Sequence, residues 1–453
     1  MKKRFRVNPF ALPVVFFLAT ILIGAMVLHT EKSVTRPISW VDALFTSTSA
    51  VCVTGLVVVD TGTAFTRFGQ SVIMCLIQLG GLGIMTYTGL IFYLWRKRVS
   101  FTDRQAVGQS LLHDPSFKLG TFLVHMVLFV LGIEAVAAGI LHAVAPAAFP
   151  AFSAIFHSVS AFCNAGFSLY ADSLVGFRGD WRINILIMAL IIIGGLGFSV
   201  VMESRALLFT RLGWAPGVKR RKRFSQYSRM VIGTTVFLIL AGWGTLFVAE
   251  FIGYHRTLTL AEATLSTLFQ SVTCRTAGFN TLDIGQMTNV SLMIMIGLMF
   301  IGGAPGSCAG GIKVTTFRTL TAFVMSHIKG RQQTVIGKVA VDLPTLNKAL
   351  TLLVFAAGII GVAVMALTIT EGGDIPHPKA RGMLLELLFE AVSAFGTVGL
   401  TTGLTPTLSI SGKLIISALM FIGRIGPILL VTAIQGYQKK QRYYWPEENF
   451  MIG

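Results

Sequence analysis

Charge is scarce in this chain. Of its 453 residues 12% are Asp, Glu, Lys or Arg, and the acidic sign is the rarer, 19 residues against 37 basic. Soluble domains carry about 25% charged residues, so an ordinary globular enzyme is excluded; disorder is excluded by the 54% of hydrophobic residues. Cysteine is also sparse. Cys52, Cys75, Cys163, Cys274 and Cys308 form no C-x-x-C pair, which removes a disulfide framework and a zinc site. His125, His142, His157 and His255 have neither metal-ligand spacing nor a nucleophile partner. No catalytic constellation is found, and no organic cofactor is expected.

What the chain has instead is 34 Phe, 47 Gly and a mean hydropathy of +0.74, the composition of apolar helices that face lipid and pack closely. Apolar stretches long enough to cross a bilayer lie near 10–29, 70–95, 120–145, 183–203, 230–253, 288–301 continuing to about 328, 347–369 and 413–435. Four shorter ones, near 39–51, 150–163, 260–274 and 382–396, are too short to span and run into a Gly; they read as re-entrant or interfacial helices. With the N-terminus cytoplasmic, 26 basic and six acidic residues fall on the inner side and ten basic and 12 acidic on the other. That asymmetry predicts eight spans with both termini inside. It also accounts for the net charge of +18 without nucleic acid as a partner.

The short segments are copies of one another. Aligned without gaps, Phe45 to Gly55, Phe156 to Gly166, Leu268 to Gly278 and Phe389 to Gly399 match in their small and hydroxyl-bearing residues. A second landmark follows each by 24 to 28 residues: Gly80-Gly-Leu-Gly83, Gly194-Gly-Leu-Gly197, Gly302-Gly-Ala-Pro305 and Gly423-Arg-Ile-Gly426. The expected fold is an all-α membrane protein of four covalently linked span–pore helix–span repeats around a pseudo-fourfold central pore, with eight transmembrane helices and four re-entrant pore loops. The repeats are placed at 1–98, 99–211, 212–329 and 330–437, followed by a C-terminal tail at 438–453.

Irregular backbone at membrane depth has to line water or be buried in protein, so the four loops are expected at the axis. Each half-helix turns there at its Gly, with its partly negative end toward the membrane centre, a field that attracts cations. The candidate filter is Thr54, Gly55, Asn164, Ala165, Gly166, Thr276, Ala277, Gly278, Thr397, Val398 and Gly399. It has no ring of carboxylates, so selection falls to backbone carbonyls, which suits a large monovalent ion. Helix packing is the competing role for these glycines, and it is the one assigned to the second landmark glycines.

Val-Thr-Gly55-Leu, Asn-Ala-Gly166-Phe, Thr-Ala-Gly278-Phe and Thr-Val-Gly399-Leu together resemble the pore loops of the Trk/Ktr/HKT superfamily of potassium transporters, over essentially the whole chain. Eight spans without an additional N-terminal pair are most similar to the bacterial Ktr membrane subunit. The resemblance implies K⁺ uptake, often Na⁺-influenced, by a homodimer with one pore per protomer in the bacterial inner (plasma) membrane. It implies a Ktr-type cytosolic ring of nucleotide-binding regulatory subunits beneath that dimer. Gly55, where plant relatives selective for Na⁺ carry Ser, favours K⁺. A Na⁺-coupled or poorly selective monovalent cation transporter is the alternative.

Residues 288–328 would form a helix of roughly 60 Å if unbroken, but Gly302 to Gly311 holds five Gly and a Pro. This break is expected as a gate below the filter, made of Gly302, Gly303, Pro305, Gly306, Ser307, Gly310 and Gly311. It is no phosphate loop, because Lys313 follows Ile312 and no Gly-Lys-Ser/Thr ending is present. Arg424 replaces the landmark Gly in the fourth repeat, about 17 Å into its span. A charge that deep needs a partner: gate-loop carbonyls are the expected one, Glu134 the alternative. Arg275 is expected behind the filter or at its mouth. Membrane lipid and the cytosolic ring are both candidate partners for the basic loops at 96–118, 205–229 and 329–345.

Overall fold

The computed structural model describes residues 11–82, 119–211, 223–252, 258–373, 376, 378 and 380–426. The loop at 96–118, the middle of 205–229, the first repeat boundary and the tail at 438–453 lie outside these residues.

Along the chain a span α1 (Ala11–Leu28) is followed by a half-helix α2 (Trp40–Cys52) and a second apolar helix α3 (Arg67–Gly81). The succession recurs as α4 (Leu119–Val144), α5 (Ala151–Phe162) and α6 (Trp181–Gly195), with α7 (Phe198–Arg211) turned off the end of α6. It recurs as α8 (Gln226–Phe247), α9 (Leu260–Thr273) and α10 (Asn289–Phe300), with α11 (Val314–Ile328) beyond a break. The last copy is α12 (Leu343–Gly372), α13 (Met383–Gly396) and α14 (Ile410–Ile425). The half-helices, 12 to 14 residues each, reach about 20 Å and cannot cross hydrocarbon. Local sequence sets two of their starts. Ser39 accepts from the Asp42 N–H, and Thr259 forms a capping box with Glu262.

Contacts repeated in three of the four copies hold the half-helices against the spans on either side. Ser47, Ser158 and Ser271 each donate a 2.7 Å hydrogen bond to a carbonyl of the preceding span: Ile21, Glu134 and Ile239. On the other side, Gly80, Gly194 and Gly423 press directly on the carbonyls of Val51, Phe162 and Phe395 at the ends of their half-helices, leaving no room for a Cβ. These landmark glycines are close-packing positions. Phe45, Phe156, Phe269 and Phe389 recur at matching places, each fully buried. Lys413 on α14 closes the first copy against the last through a 2.7 Å ion pair with Asp42 on α2.

Three features depart from the sequence reading. The span expected over 183–203 is broken, with α6 and α7 meeting at a bend of 108°. Gly197 there takes φ +83°, outside the helical region, and three glycines in four residues lower the cost of the break. The gapless alignment also slips in the third repeat. Ser271, not Gln270, is the counterpart of Ser47, so the stretch from that serine to the loop glycine, Gly278, is one residue shorter than in the first two copies. Finally, Val335–Ile336 and Val339–Ala340 pair as a small hairpin across Gly337, whose φ of +65° suits a two-residue turn.

Gly423→Ala should lower thermal stability by about 1–3 kcal/mol through overpacking, whereas Gly358→Ala, where a Cβ meets open space, should leave it unchanged or slightly raised. Thermal unfolding of the detergent-solubilised variants, followed by fluorescence-detected gel filtration, checks the contrast.

Candidate functional site

The end of each half-helix is built by the backbone. In the first, second and fourth copies the chain leaves the helix through a Schellman turn. Its longer hydrogen bonds run Thr54 N–H to Ser49 O at 2.8 Å, Ala165 N–H to Ser160 O at 2.7 Å and Val398 N–H to Ser393 O at 2.8 Å. The third copy, one residue shorter, lacks that pair of bonds, and Ala277 N–H reaches Thr273 O instead. The turn begins before the glycine, not at it. Val53, Asn164, Thr276 and Thr397 take φ of 56°, 58°, 77° and 50°, and Gly55, Gly166, Gly278 and Gly399 then take 91°, 70°, 78° and 90°. A side-chain-bearing residue held at positive φ costs on the order of 1–3 kcal/mol, a strain such sites retain when the surroundings impose it. Val53 is a member of the site that the sequence reading missed, since a β-branched residue gives no local signal for this conformation.

The four glycines meet. A Cβ on Gly55 would strike the Ala165 carbonyl, and one on Gly166 would lie 2.8 Å from Ala277 O. One on Gly278 would lie 2.5 Å from Val398 O, and one on Gly399 would strike the Thr54 carbonyl. The contacts run from copy one to two to three to four and back to one. They form a closed ring in which every glycine is needed twice, for its positive φ and for the approach of its neighbour's carbonyl. Thr54, Asn164, Ala165, Thr276, Ala277, Thr397 and Val398 are fully buried around it. The buried hydroxyls of Thr54 and Thr397 have no partner among the described residues.

Directly beneath lies the break between α10 and α11. Gly310 and Gly311 abut Thr397 and Gly396, with a Cβ on Gly310 falling 2.8 Å from Thr397 Cγ2. The loop spans repeats. Ala304 N–H donates to Gly195 O at 3.0 Å, Cys308 N–H to Gly194 O at 3.3 Å, and Phe198 N–H to Gly306 O at 3.1 Å. The peptide groups freed by the α6–α7 break are thus satisfied by the third repeat. Within the loop, Gly302 N–H donates to Ile312 O, Val314 N–H donates to Gly303 O, and Ser307 caps Ala304 O at 2.6 Å; Pro305 and Gly306 form its tip.

Three cations hold it. Arg424, 8% exposed, donates through one nitrogen to Cys308 O in the loop and through another to Gly80 O in the first repeat. Arg275, also buried, donates to Gly302 O at 3.0 Å, which sets it against the loop. Glu134 sits against Cys163 and is not the partner of either arginine's described bonds. Sequence reasoning counted Lys313 as an ordinary cytoplasmic charge, but its ammonium turns back onto Ala309 O at 2.5 Å and Gly310 O at 3.4 Å. A signal existed. Lys313 occupies the N-cap of α11, where a cation opposes the helix dipole and no capping bond forms. In a variant whose only cysteine is Cys308, buried in the native loop, Arg424→Ala should increase labelling by a small water-soluble maleimide about tenfold or more, the result of losing roughly 1.4 kcal/mol of closure. Mass spectrometry of labelled membranes is the measurement.

Comparison with known proteins adds the lineage. Residues 6–441 match the family model TrkH, described as a cation transport protein. The chain is 42% identical to the Ktr system potassium uptake protein B of Bacillus subtilis, over 98% of this chain and 96% of that one. It is 35% identical to the potassium/sodium uptake protein NtpJ of Enterococcus hirae, over 100% and 99%. The crystal structure of the potassium transporter TrkH from Vibrio parahaemolyticus superposes with a TM-score of 0.72 at 20% identity, covering 96% of this chain and 86% of that one, which shows a shared fold. With the match running through all four loops, the chain belongs to the TrkH family of membrane-spanning cation transport proteins, which are transporters and not enzymes.

Proposed function

We propose that the chain takes up K⁺ across the bacterial inner membrane through the ring of Gly55, Gly166, Gly278 and Gly399. The observation that carries this reading is the closed ring itself. Four loops bring carbonyls together without a carboxylate among them, the residues preceding the four glycines, Thr54, Ala165, Ala277 and Val398, are uncharged, and the orphaned hydroxyls of Thr54 and Thr397 stand beside the ring. Carbonyl dipoles and hydroxyl oxygens replace the hydration shell of a large monovalent cation at lower cost than that of a divalent one. Relatives named for potassium uptake, at 42% and 35% identity, support the same ion. The membrane potential would drive it inward, worth about 2.3 kcal/mol per charge per 100 mV.

The segment from Gly302 to Gly311 is the gate in this reading. It plugs the path under the filter, and Arg424, Arg275 and Lys313 hold it there by their bonds to its carbonyls. Their charges also raise the barrier to a cation, so an opening motion removes both obstacles together. The repeat bounds, the cytoplasmic termini, a homodimer and a cytosolic nucleotide-binding ring belong to the same reading; relatives named as parts of a Ktr system support a partner component. A Na⁺-handling role is the second reading, favoured by the relative named for potassium and sodium together.

Cells deficient in K⁺ uptake should grow at low external K⁺ when given this chain, with growth enhanced by a co-expressed Ktr-type nucleotide-binding subunit. Gly55→Ser should lower the preference for K⁺ over Na⁺ about tenfold, equivalent to roughly 1.4 kcal/mol, and Arg424→Ala should raise flux. Unchanged ion preference in the serine variant removes Gly55 from the filter.

A further inference from the structure

Each filter loop must leave the ring as well as enter it, and the outgoing limb is held by something the sequence alignment hid. In three repeats a buried polar side chain one position before the span-bonding serine, or its counterpart, reaches from the half-helix to the backbone N–H three residues past the filter glycine. In the second repeat it is His157, nine residues before Gly166, whose Nε2 accepts from Leu169 N–H at 3.4 Å and meets Ser168 Oγ at 3.1 Å. In the third it is Gln270. The two N–H groups it faces fix its amide oxygen toward them, at 3.1 Å from Thr281 N and 3.2 Å from Leu282 N. In the fourth it is Glu390, which accepts from Thr402 N–H at 3.1 Å, from Thr405 Oγ1 at 2.6 Å and from Thr401 Oγ1. All three side chains are fully buried. The first repeat has Thr46 at this place, spent on its own helix at Asp42 O, and its limb is held instead by Gln70 from α3, which donates to Gly62 O and Phe65 O.

We infer that His157, Gln270 and Glu390 are positioning residues for ion discrimination, acceptor struts that fix the outgoing limbs and thereby the spacing of the filter carbonyls. The inference rests on the glycine ring being the filter. The common requirement is an acceptor, since imidazole nitrogen, amide oxygen and carboxylate oxygen all meet the same peptide N–H. It carries a consequence for the histidine alone. His157 Nδ1 faces Ser153 O at 2.8 Å and so carries the ring's proton, which leaves Nε2 as the acceptor. A second proton would set N–H against N–H at Leu169. The groups facing the ring are Ser153, Phe149, Phe156, Ser168 and Tyr170, none charged at neutral pH. Acid therefore releases this strut, whereas a protonated Glu390 keeps an acceptor oxygen.

The test uses the full chain in the same uptake-deficient cells, with Na⁺ competing against K⁺ uptake and membrane abundance measured in parallel. His157→Leu, Gln270→Leu and Glu390→Leu should each cost about tenfold in K⁺ preference, the worth of one buried hydrogen bond, at unaltered abundance, while His157→Gln and Glu390→Gln keep most of it. Leucine variants as selective as the parent, or glutamine variants as impaired as leucine ones, overturn the proposal. Should a leucine variant fail to insert, the acid arm decides. Selectivity of the parent should fall as the medium is acidified, and that of His157→Gln should not; equal acid sensitivity refutes the strut. Gly55→Ser separates the two readings. If it changes selectivity and the leucine variants do not, the struts fail and the filter stands; if it too changes nothing, the filter reading fails first.

Discussion

The molecule depends on one close approach. At the axis four loops pass near enough that each glycine touches the carbonyl of the next, and any side chain there would push two repeats apart. Everything outside serves that distance. Three serines tie half-helices to the spans before them, three landmark glycines let the spans after them press on half-helix ends, and the Asp42–Lys413 pair fastens the last copy to the first. The serine contacts join a side-chain hydroxyl to a backbone carbonyl. That is the economical choice in lipid, where an unpaired peptide group costs several kcal/mol.

The same accounting explains why two broken helices lie side by side. A break inside a membrane protein strands peptide groups that water would otherwise satisfy. The α6–α7 bend exposes the carbonyls of Gly194 and Gly195, and the loop beyond α10 supplies the N–H groups of Cys308 and Ala304 that they need. Neither break is satisfied alone. The cations around the loop follow the same logic, since Arg424 and Arg275 each find carbonyls released by irregular backbone.

Much of this was legible in the residues because the repeats copy length and glycine position. The half-helices fall within two residues of their expected bounds, and the break at Gly302–Gly311 follows from its glycines and proline. What escaped the sequence has a physical pattern. Val53 in a left-handed turn is imposed by the Schellman bonds around it and by packing, not by its own preference. The α6–α7 bend was masked by apolar residues on both sides of Gly197, which read as one span. Lys313 looked like any inner-face charge until the fold returned it to the loop. The one-residue slip in the third repeat hid the kinship of Gln270 with His157 and Glu390, because a gapless comparison rewards the shared glycine and never asks where the half-helix bonds begin.

Covalent linkage of the four copies has a further result. In an assembly of identical subunits a single altered codon rewrites every wall of the central path at once, so departures from symmetry are hard to acquire. Here the quadrants are free to diverge, and they have: a hydroxyl, an imidazole, an amide and a carboxylate occupy corresponding places at Thr46, His157, Gln270 and Glu390. The surroundings of the ring are therefore chemically uneven from one quadrant to the next, and inheritance can alter them one position at a time.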